Sequence, residues 1–336
     1  MKNFNIPIFV PHRGCPYDCV FCNQNRITGT DNIVTAADVR NTIEEYLKTL
    51  PYENRHIEAA FFGGSFTGIP IEEQTELLSA AYKYVESGQI DGIRLSTRPD
   101  YIDTEILDNL LKYGVTTIEL GVQSMDEDVL KASNRGHTAE DVERACTLIR
   151  KYPFRLGLQM MTGLPADTRE KSVETAGKII ALKPEMVRIY PTLTIRGTRL
   201  AQMYESGEYT PQTLDSAAEE CAEILCMFEK AGIDVIRIGL QPTDEICENG
   251  GSVIAGPVHS AFGEMVESAI YRGIILDKLK ECTSFAADIY VSPKEVSKAV
   301  GNKKTNITKI KEATGIQIKV HGDENLQKRE VRCNCC

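Results

Sequence analysis

Short β-rich apolar runs alternate with longer helical patterns through the first part of the chain, and no other feature of the sequence restricts the fold so tightly. The runs are Ile6–Pro11, Ile57–Phe62, Ile93–Thr97, Thr117–Gly121, Arg155–Met161 and Val187–Pro191. Between them, helical patterns cover Ala36–Leu50, Ile71–Glu86, Thr104–Tyr113, Ala139–Lys151 and Thr168–Ala181. Strands separated by helices of that length are joined by crossovers and pair in parallel. Thr35 followed by Asp38, ahead of Val39, Ile43 and Leu47, is the pattern of a capped amphipathic helix. These units predict an α/β fold, a partial (β/α)6 barrel of the TIM type, with a doubly wound sheet as the architectural alternative.

The segments that follow the strands are polar or contain glycine. They read His12-Arg13-Gly14-Cys15, Gly63-Gly64-Ser65, Arg98-Pro99-Asp100, Val122-Gln123-Ser124, Thr162-Gly163-Leu164-Pro165 and Thr192 through Thr198. In barrels and open parallel sheets the carboxyl ends of the strands open onto one face, so these loops are expected to converge on one site.

At 336 residues the chain is longer than one such unit needs. Leu214, Ala217, Ala218, Cys221, Leu225 and Phe228 fall at helical spacing, and Asp234–Leu240 resembles a further strand. Asn249 to Gly263 reads as a crossing loop and Glu264 to Glu281 as a helix. Four segments are therefore predicted: a barrel with its extension over 1–245, a connecting loop and helix over 246–283, a small basic α+β domain over 284–332 and a cysteine-containing tail over 333–336. A formal charge of −10 argues against coating nucleic acid by bulk attraction, yet residues 291–332 hold ten Lys and Arg against five acids, a local basic patch. No apolar run approaches the roughly 18 residues that span a bilayer, and no basic-then-apolar leader is seen. The expectation is a cytoplasmic protein without a membrane partner.

Eleven cysteines in such a chain point to thiols, metal ligands or catalysis rather than a disulfide framework. The strongest signal is Cys15-Pro16-Tyr17-Asp18-Cys19-Val20-Phe21-Cys22. Three thiolates in one loop can hold three irons of a cubane cluster, and the lack of a fourth local ligand leaves one iron open to a substrate. A zinc site completed by a distant residue and an accidental group of reduced thiols are the alternatives. Cys333, Cys335 and Cys336 read as a mobile reduced tail, Cys221 as core, and Cys146, Cys226, Cys247 and Cys282 as structural thiols.

The cysteine loop resembles the CxxxCxxC motif of the radical S-adenosylmethionine (SAM) superfamily, with Phe21 as the aromatic before the last cysteine. The resemblance implies an enzyme in which Cys15, Cys19 and Cys22 hold a 4Fe-4S cluster whose open iron chelates SAM. One electron would cleave SAM reductively, and the resulting 5′-deoxyadenosyl radical would abstract hydrogen from a substrate at the barrel mouth. It places SAM against Phe21, Gly63, Gly64, Ser65, Arg98, Gln123 and Ser124, with Ser65 standing where the family usually has Glu. His12 and Arg13 read either as tuning the field of the cluster or as a solvated basic pair, and a one-electron donor such as flavodoxin or ferredoxin is implied as partner.

Within that superfamily the chain resembles the catalytic subunit of Elongator and its relatives, which modify wobble uridine in tRNA. The resemblance rests on His12-Arg13-Gly14-Cys15-Pro16, Phe61-Phe62-Gly63-Gly64-Ser65-Phe66, Ser96-Thr97-Arg98-Pro99-Asp100, Glu119-Leu120-Gly121-Val122-Gln123-Ser124 and Arg188-Ile189-Tyr190-Pro191. Ile195-Arg196-Gly197-Thr198 and Ser206-Gly207-Glu208-Tyr209 add to it. That family carries an acetyltransferase-like domain after the radical module, and the sequence read here does not contain one, so a separate acetyltransferase or a different product is expected. Residues 288–320 resemble a KH module, with Gly301-Asn302-Lys303-Lys304 as the loop that clamps a single-stranded RNA backbone. The reading is a radical SAM enzyme of RNA, tRNA uridine foremost. The alternatives are a radical SAM enzyme of a small metabolite or tetrapyrrole, in the manner of coproporphyrinogen dehydrogenases, and a non-catalytic Fe–S protein that binds or senses RNA.

Overall fold

Seven parallel strands hydrogen-bond in the order in which they occur along the chain. The computed structural model describes residues 2–10, 15, 17–22, 34–51, 53–240, 246 and 251–335, so His12, Arg13, Cys247 and Cys336 lie outside the described residues. Its strands are β1 (Lys2–Phe9), β2 (Arg55–Phe62), β3 (Gly92–Thr97), β4 (Val115–Gln123), β5 (Arg155–Thr162), β6 (Met186–Pro191), the short β7 (Thr194–Ile195), β8 (Asp234–Ile238) and β9 (Val253–Ala255). The main sheet runs β1-β2-β3-β4-β5-β6-β8, while β7 and β9 make a separate antiparallel pair. A doubly wound sheet reverses its strand order at a switch point, and none occurs here. Right-handed crossovers in strict sequence order put every helix on one face, which leaves the other face as the lumen of an incomplete barrel. The architecture is the expected partial barrel, with β8 added as a seventh strand over the run read at Asp234–Leu240.

The helix layer comprises α1 (Ala36–Thr49), α2 (Ile71–Glu86), α3 (Thr104–Lys112), α4 (Glu127–Ala132), α5 (Ala139–Ile149) and α6 (Arg169–Ala181). Strand alternation sends Ile57, Phe61, Leu95, Ile118, Leu120, Leu158 and Ile189 into the core beneath these helices, all fully buried. Thr35 closes a capping box on α1 with Asp38, whose carboxyl is held below its ordinary range by the Thr35 hydroxyl and backbone N–H.

The alternate positions carry a buried ladder of charge. Arg94 Nε donates to Glu58 (2.7 Å) and its Nη1 to Glu119 (3.0 Å), and Arg188 forks onto Glu119 from β6. Gln159 bridges Glu119 to Ser96, while the Thr116 and Thr117 hydroxyls donate to Glu58. Burial works to raise the Glu58 pKa, but Arg94 and the two hydroxyls outweigh it, and the carboxyl stays below its ordinary value.

A second compact unit combines residues 213–226 with 259–336. After α7 (Arg199–Glu205) and α8 (Leu214–Lys230), it contains α9 (Phe262–Leu279), β10 (Ala286–Val291), α10 (Val296–Val300), α11 (Thr305–Thr314), β11 (Gln317–Gly322) and β12 (Arg332–Cys335). Its sheet order is β11-β10-β12, parallel on one side of β10 and antiparallel on the other. Two expectations are corrected here. The helix read as a connector is part of this unit, because Tyr271, Ile275 and Leu279 of α9 pack with Ile289, Val291, Ala299 and Ile310. The sequence 333–335, read as a mobile reduced tail, is strand: Cys333 sits opposite Ile289 in the ladder, and Cys335 is joined to Cys282 by a disulfide with Cα atoms 5.8 Å apart. Cys146 and Cys221 are buried as expected, whereas Cys226 is exposed. Among the described residues no helix is long and apolar enough to cross a membrane.

Asn306 is the polar node of this unit. It is fully buried, its Nδ2 lies within 2.8–3.2 Å of the Ser268, Lys298 and Ala299 carbonyls and the Ser268 hydroxyl, and its Oδ1 accepts from Arg272. Asn306→Asp, nearly isosteric, replaces this donor with a charge facing carbonyls. It is expected to lower the stability of the C-terminal unit by about 2–4 kcal/mol, read by urea melts, with the Thr35→Ala cap variant costing only about 1 kcal/mol.

Candidate active site

The cysteine loop enters the barrel mouth from β1 and is held by the segment after α4. Val20 N donates to Ser133 O (3.1 Å), Asn134 Nδ2 to Asp18 O (2.9 Å), and Leu200 N to Val20 O (2.7 Å). Val20 packs with Leu200 and Tyr209, and Phe21 lies against the same group. Cys22 N donates to Cys19 O, which closes the turn between those two thiols, and the Cys15 thiol donates to Tyr17 O at 3.5 Å. Cys19 is buried and Cys15 and Cys22 are half-buried. Among the described residues no three thiol, imidazole or carboxylate groups close round a single ion.

The other expected contacts divide into two groups. Arg98 and Gln123 face the site. Arg98 is 2% exposed, forks onto Asp100 through Nε and Nη2 (2.9 Å each), and stacks over the Tyr17 ring at 4.5 Å. Its Nη1 is buried without a partner among the described residues. Gln123 stands at a bulge in β4 with φ +66°, and its Oε1 is likewise buried without a partner. Ser65 and Ser124, by contrast, are braces. The Ser65 hydroxyl bonds Thr97 Oγ1 (2.9 Å) and accepts from Arg98 N (3.2 Å), so it ties β2 to β3. The Ser124 hydroxyl bonds Thr175 Oγ1 of α6 and accepts from the Asp126 N–H. At the Gly63-Gly64 turn, where Gly63 has φ +100°, the backbone is what remains for a ligand.

Sequence reasoning missed Arg135, which is the centre of this arrangement. Its Nη2 donates to Gly121 O (2.6 Å), its Nη1 lies 3.6 Å from Cys19 Sγ, and its Nε is buried without a partner among the described residues. A Cβ on Gly121 would stand 2.8 Å from Arg135 Nη2 and 2.9 Å from Gln123 Nε2, so the missing side chain is what opens the space between them. A Cβ on Gly136 would stand 2.3 Å from the Tyr17 ring, in a residue already at φ +79°. The signal was present as Ser133-Asn134-Arg135-Gly136-His137 just beyond α4, an arginine and a glycine in a turn too short to be surface filler. His137 is buried with Nε2 on Val122 O (3.2 Å); burial and the charges of Arg135 and Arg98 push its pKa down to about 3, so it is a neutral imidazole.

The expected RNA loop lies in the second unit. Gly301 is buried, and a Cβ there would stand 2.6 Å from Thr305 Oγ1; Asn302, Lys303 and Lys304 are exposed. Lys303 (φ +49°) and Lys304 (φ +64°) both adopt left-handed backbone, so Lys304 takes the conformation a glycine would favour.

Three sulfur donors at the mouth of an open parallel barrel, with orphaned polar groups around them, define a cofactor-dependent α/β enzyme. The chain belongs to the radical SAM superfamily, whose model matches residues 9–179, and the C-terminal domain of that superfamily matches 184–272. Human Elongator complex protein 3 is 34% identical over 208 residues, covering 56% of this chain and 38% of that protein. A Methanocaldococcus jannaschii protein named tRNA uridine(34) acetyltransferase is 32% identical, covering 52% and 36%. The chain therefore spans less than two fifths of the length of these relatives. Among solved structures, the archaeal Elongator protein 3 of Methanocaldococcus infernus, with an N-terminal deletion, superposes with a TM-score of 0.60 at 25% identity, covering 83% of this chain and 64% of that one. This protein is thus a radical SAM enzyme, similar over that span to Elongator complex protein 3.

Two measurements check the geometry. Gly136→Ala is expected to displace Tyr17 and the cysteine loop and to cut iron incorporation on anaerobic reconstitution several-fold, with the fold retained by circular dichroism. His137 takes a proton in the unfolded chain below about pH 6.5 but in the folded chain only near pH 3. Its contribution to stability is therefore complete above pH 6.5 and is lost as pH falls toward 3, by up to about 1.4 kcal/mol per pH unit. Urea melts between pH 7 and pH 5 should show a flatter slope for His137→Asn than for the wild type.

Proposed function

We propose that Cys15, Cys19 and Cys22 hold a 4Fe-4S cluster and that SAM lies against it, with Phe21 flanking and Gly63, Gly64, Arg98, Gln123 and Arg135 as its polar contacts. The observation that carries this is the set of orphaned atoms. Arg98 Nη1 and Arg135 Nε are buried cationic donors that suit a carboxylate, and Gln123 Oε1 is a buried acceptor that suits an ammonium. An α-amino acid end satisfies both, and the bare Gly121 leaves it room. When bound, the cluster and SAM supply a one-electron route to carbon-centred radical chemistry that no side chain can provide. The chain's part is to place and shield: Tyr17 covers Arg98, the Val20–Leu200–Tyr209 group closes the apolar side, and the Arg135 guanidinium beside Cys19 favours the more negative state of a thiolate-bound centre.

The substrate in this reading is RNA, with a tRNA uridine as the reacting nucleoside. Support comes from the similarity to proteins named for tRNA uridine chemistry and from the basic Gly301–Lys304 loop, a KH-like clamp for a nucleotide backbone. Lys303 and Lys304 are exposed and make no ion pair among the described residues, which leaves both free for phosphate. A flavodoxin or ferredoxin is the proposed electron donor. An acetyltransferase is the proposed source of any acyl group.

Anaerobic reconstitution followed by dithionite and SAM is expected to yield 5′-deoxyadenosine and methionine, and Cys19→Ser is expected to yield neither. Cluster-loaded protein that leaves SAM intact would overturn the cofactor assignment. For the substrate, mass spectrometry of tRNA nucleosides from a deletion strain should lack one modified uridine; an unchanged nucleoside profile would count against tRNA.

A further inference from the structure

The solvent-facing side of the three-stranded sheet in the C-terminal unit carries a row of planar side chains that the reaction does not use. Alternation directs Ala287, Ile289 and Val291 of β10 into the core, together with Ile318 of β11 and Cys333 of β12. Tyr290, Lys319, His321 and Arg332 fall on the other face. The register sets His321 and Arg332 opposite Tyr290 on its two neighbouring strands. The His321 ring stacks on Tyr290 with centroids 5.2 Å apart and 30° between planes, and the Arg332 guanidinium carbon lies 4.6 Å from the Tyr290 centroid. Asp288 orients His321 (2.8 Å) and Asp323 orients Arg332 (2.8 Å), so both outer members of the row are fixed in place.

Those outer members stay accessible: the His321 side chain is 43% exposed and that of Arg332 52%. Lys319, on the same face two residues before His321, is exposed and makes no ion pair among the described residues.

We infer that this face is a stacking platform for single-stranded RNA, with bases lying on the His321 and Arg332 planes and with Lys319 meeting the backbone. Every base has a π-face, and rings or guanidinium planes on an open sheet bind unpaired bases without demanding sequence. On the face itself the cations are Lys319 and Arg332, and the Asp288 carboxylate is engaged by His321. A row of planar, cation-ended groups suits a polyanion with flat bases better than it suits an aliphatic protein segment. The inference rests on the RNA reading above and assigns a contact surface beyond the Gly301–Lys304 loop.

Stacked cross-strand neighbours also stabilise sheets for their own sake, and the test must separate the two roles. Arg332→Lys keeps the charge and removes the plane, and His321→Ala removes the ring from the other end. With the full chain and a short fluorescein-labelled oligoadenylate, each is expected to weaken binding by fluorescence anisotropy roughly fivefold or more, while circular dichroism and a cooperative urea transition show the fold retained. Lys319→Ala is expected to reduce the slope of log affinity against log salt by about 0.7. Wild-type affinity in both Arg332→Lys and His321→Ala, from a protein that still binds tRNA, overturns the platform and leaves the RNA reading standing. A wild-type protein that binds neither the oligoadenylate nor tRNA at low salt overturns both.

Discussion

Four charged side chains inside the barrel, Glu58, Arg94, Glu119 and Arg188, are largely buried and depend on one another. Taken singly, each would carry a desolvation cost of several kcal/mol, and removing one partner of a buried pair typically costs about 3–5 kcal/mol. Together they alternate in sign from β2 through β3 and β4 to β6, so the register of four strands is tied to one electrostatic arrangement. The active-site rim follows from this register. Glu119, Gly121 and Gln123 occupy successive lumen-facing positions of β4, and fixing the first fixes where the bare glycine and the orphaned amide come to lie.

The rim itself is built by subtraction. Gly121 and Gly136 contribute no side chain, and the space each leaves is bounded by Arg135 with Gln123 in one case and by the Tyr17 ring in the other. Arg98 Nη1, Gln123 Oε1 and Arg135 Nε are buried there with no hydrogen-bond partner among the described residues. Leaving a buried donor or acceptor unmet costs about 1–3 kcal/mol, and several together describe a place shaped for a ligand rather than for stability.

Most strands and helices of the barrel were legible because apolar periodicity is a direct consequence of which faces are buried. Arg155–Met161 and Ile71–Glu86 fall within a residue of their final bounds or on them. Side-chain direction was less legible. Ser65 and Ser124 stand in loops at the carboxyl ends of strands, as a ligand contact should, yet a hydroxyl satisfies its bonds with the nearest partners, and here those are Thr97 and Thr175. Arg135 was missed for the opposite reason, since its importance comes from a distance to Cys19, which is 116 residues earlier in the chain. In the second unit the αβ order was read correctly, but α9 and β12 were assigned to a connector and a tail. Their membership depends on tertiary contacts of Tyr271 and on the ladder opposite Ile289, neither of which has a local signature.

Strict sequence order in the main sheet leaves β1 and β8 at opposite edges, and the two do not pair among the described residues. A closed cylinder admits only what can pass its rim, so the reactant must be small or present a free end. A cylinder with an unsealed seam sets no upper limit on how long the molecule may be, because the middle of a chain can be laid in sideways with both ends left outside.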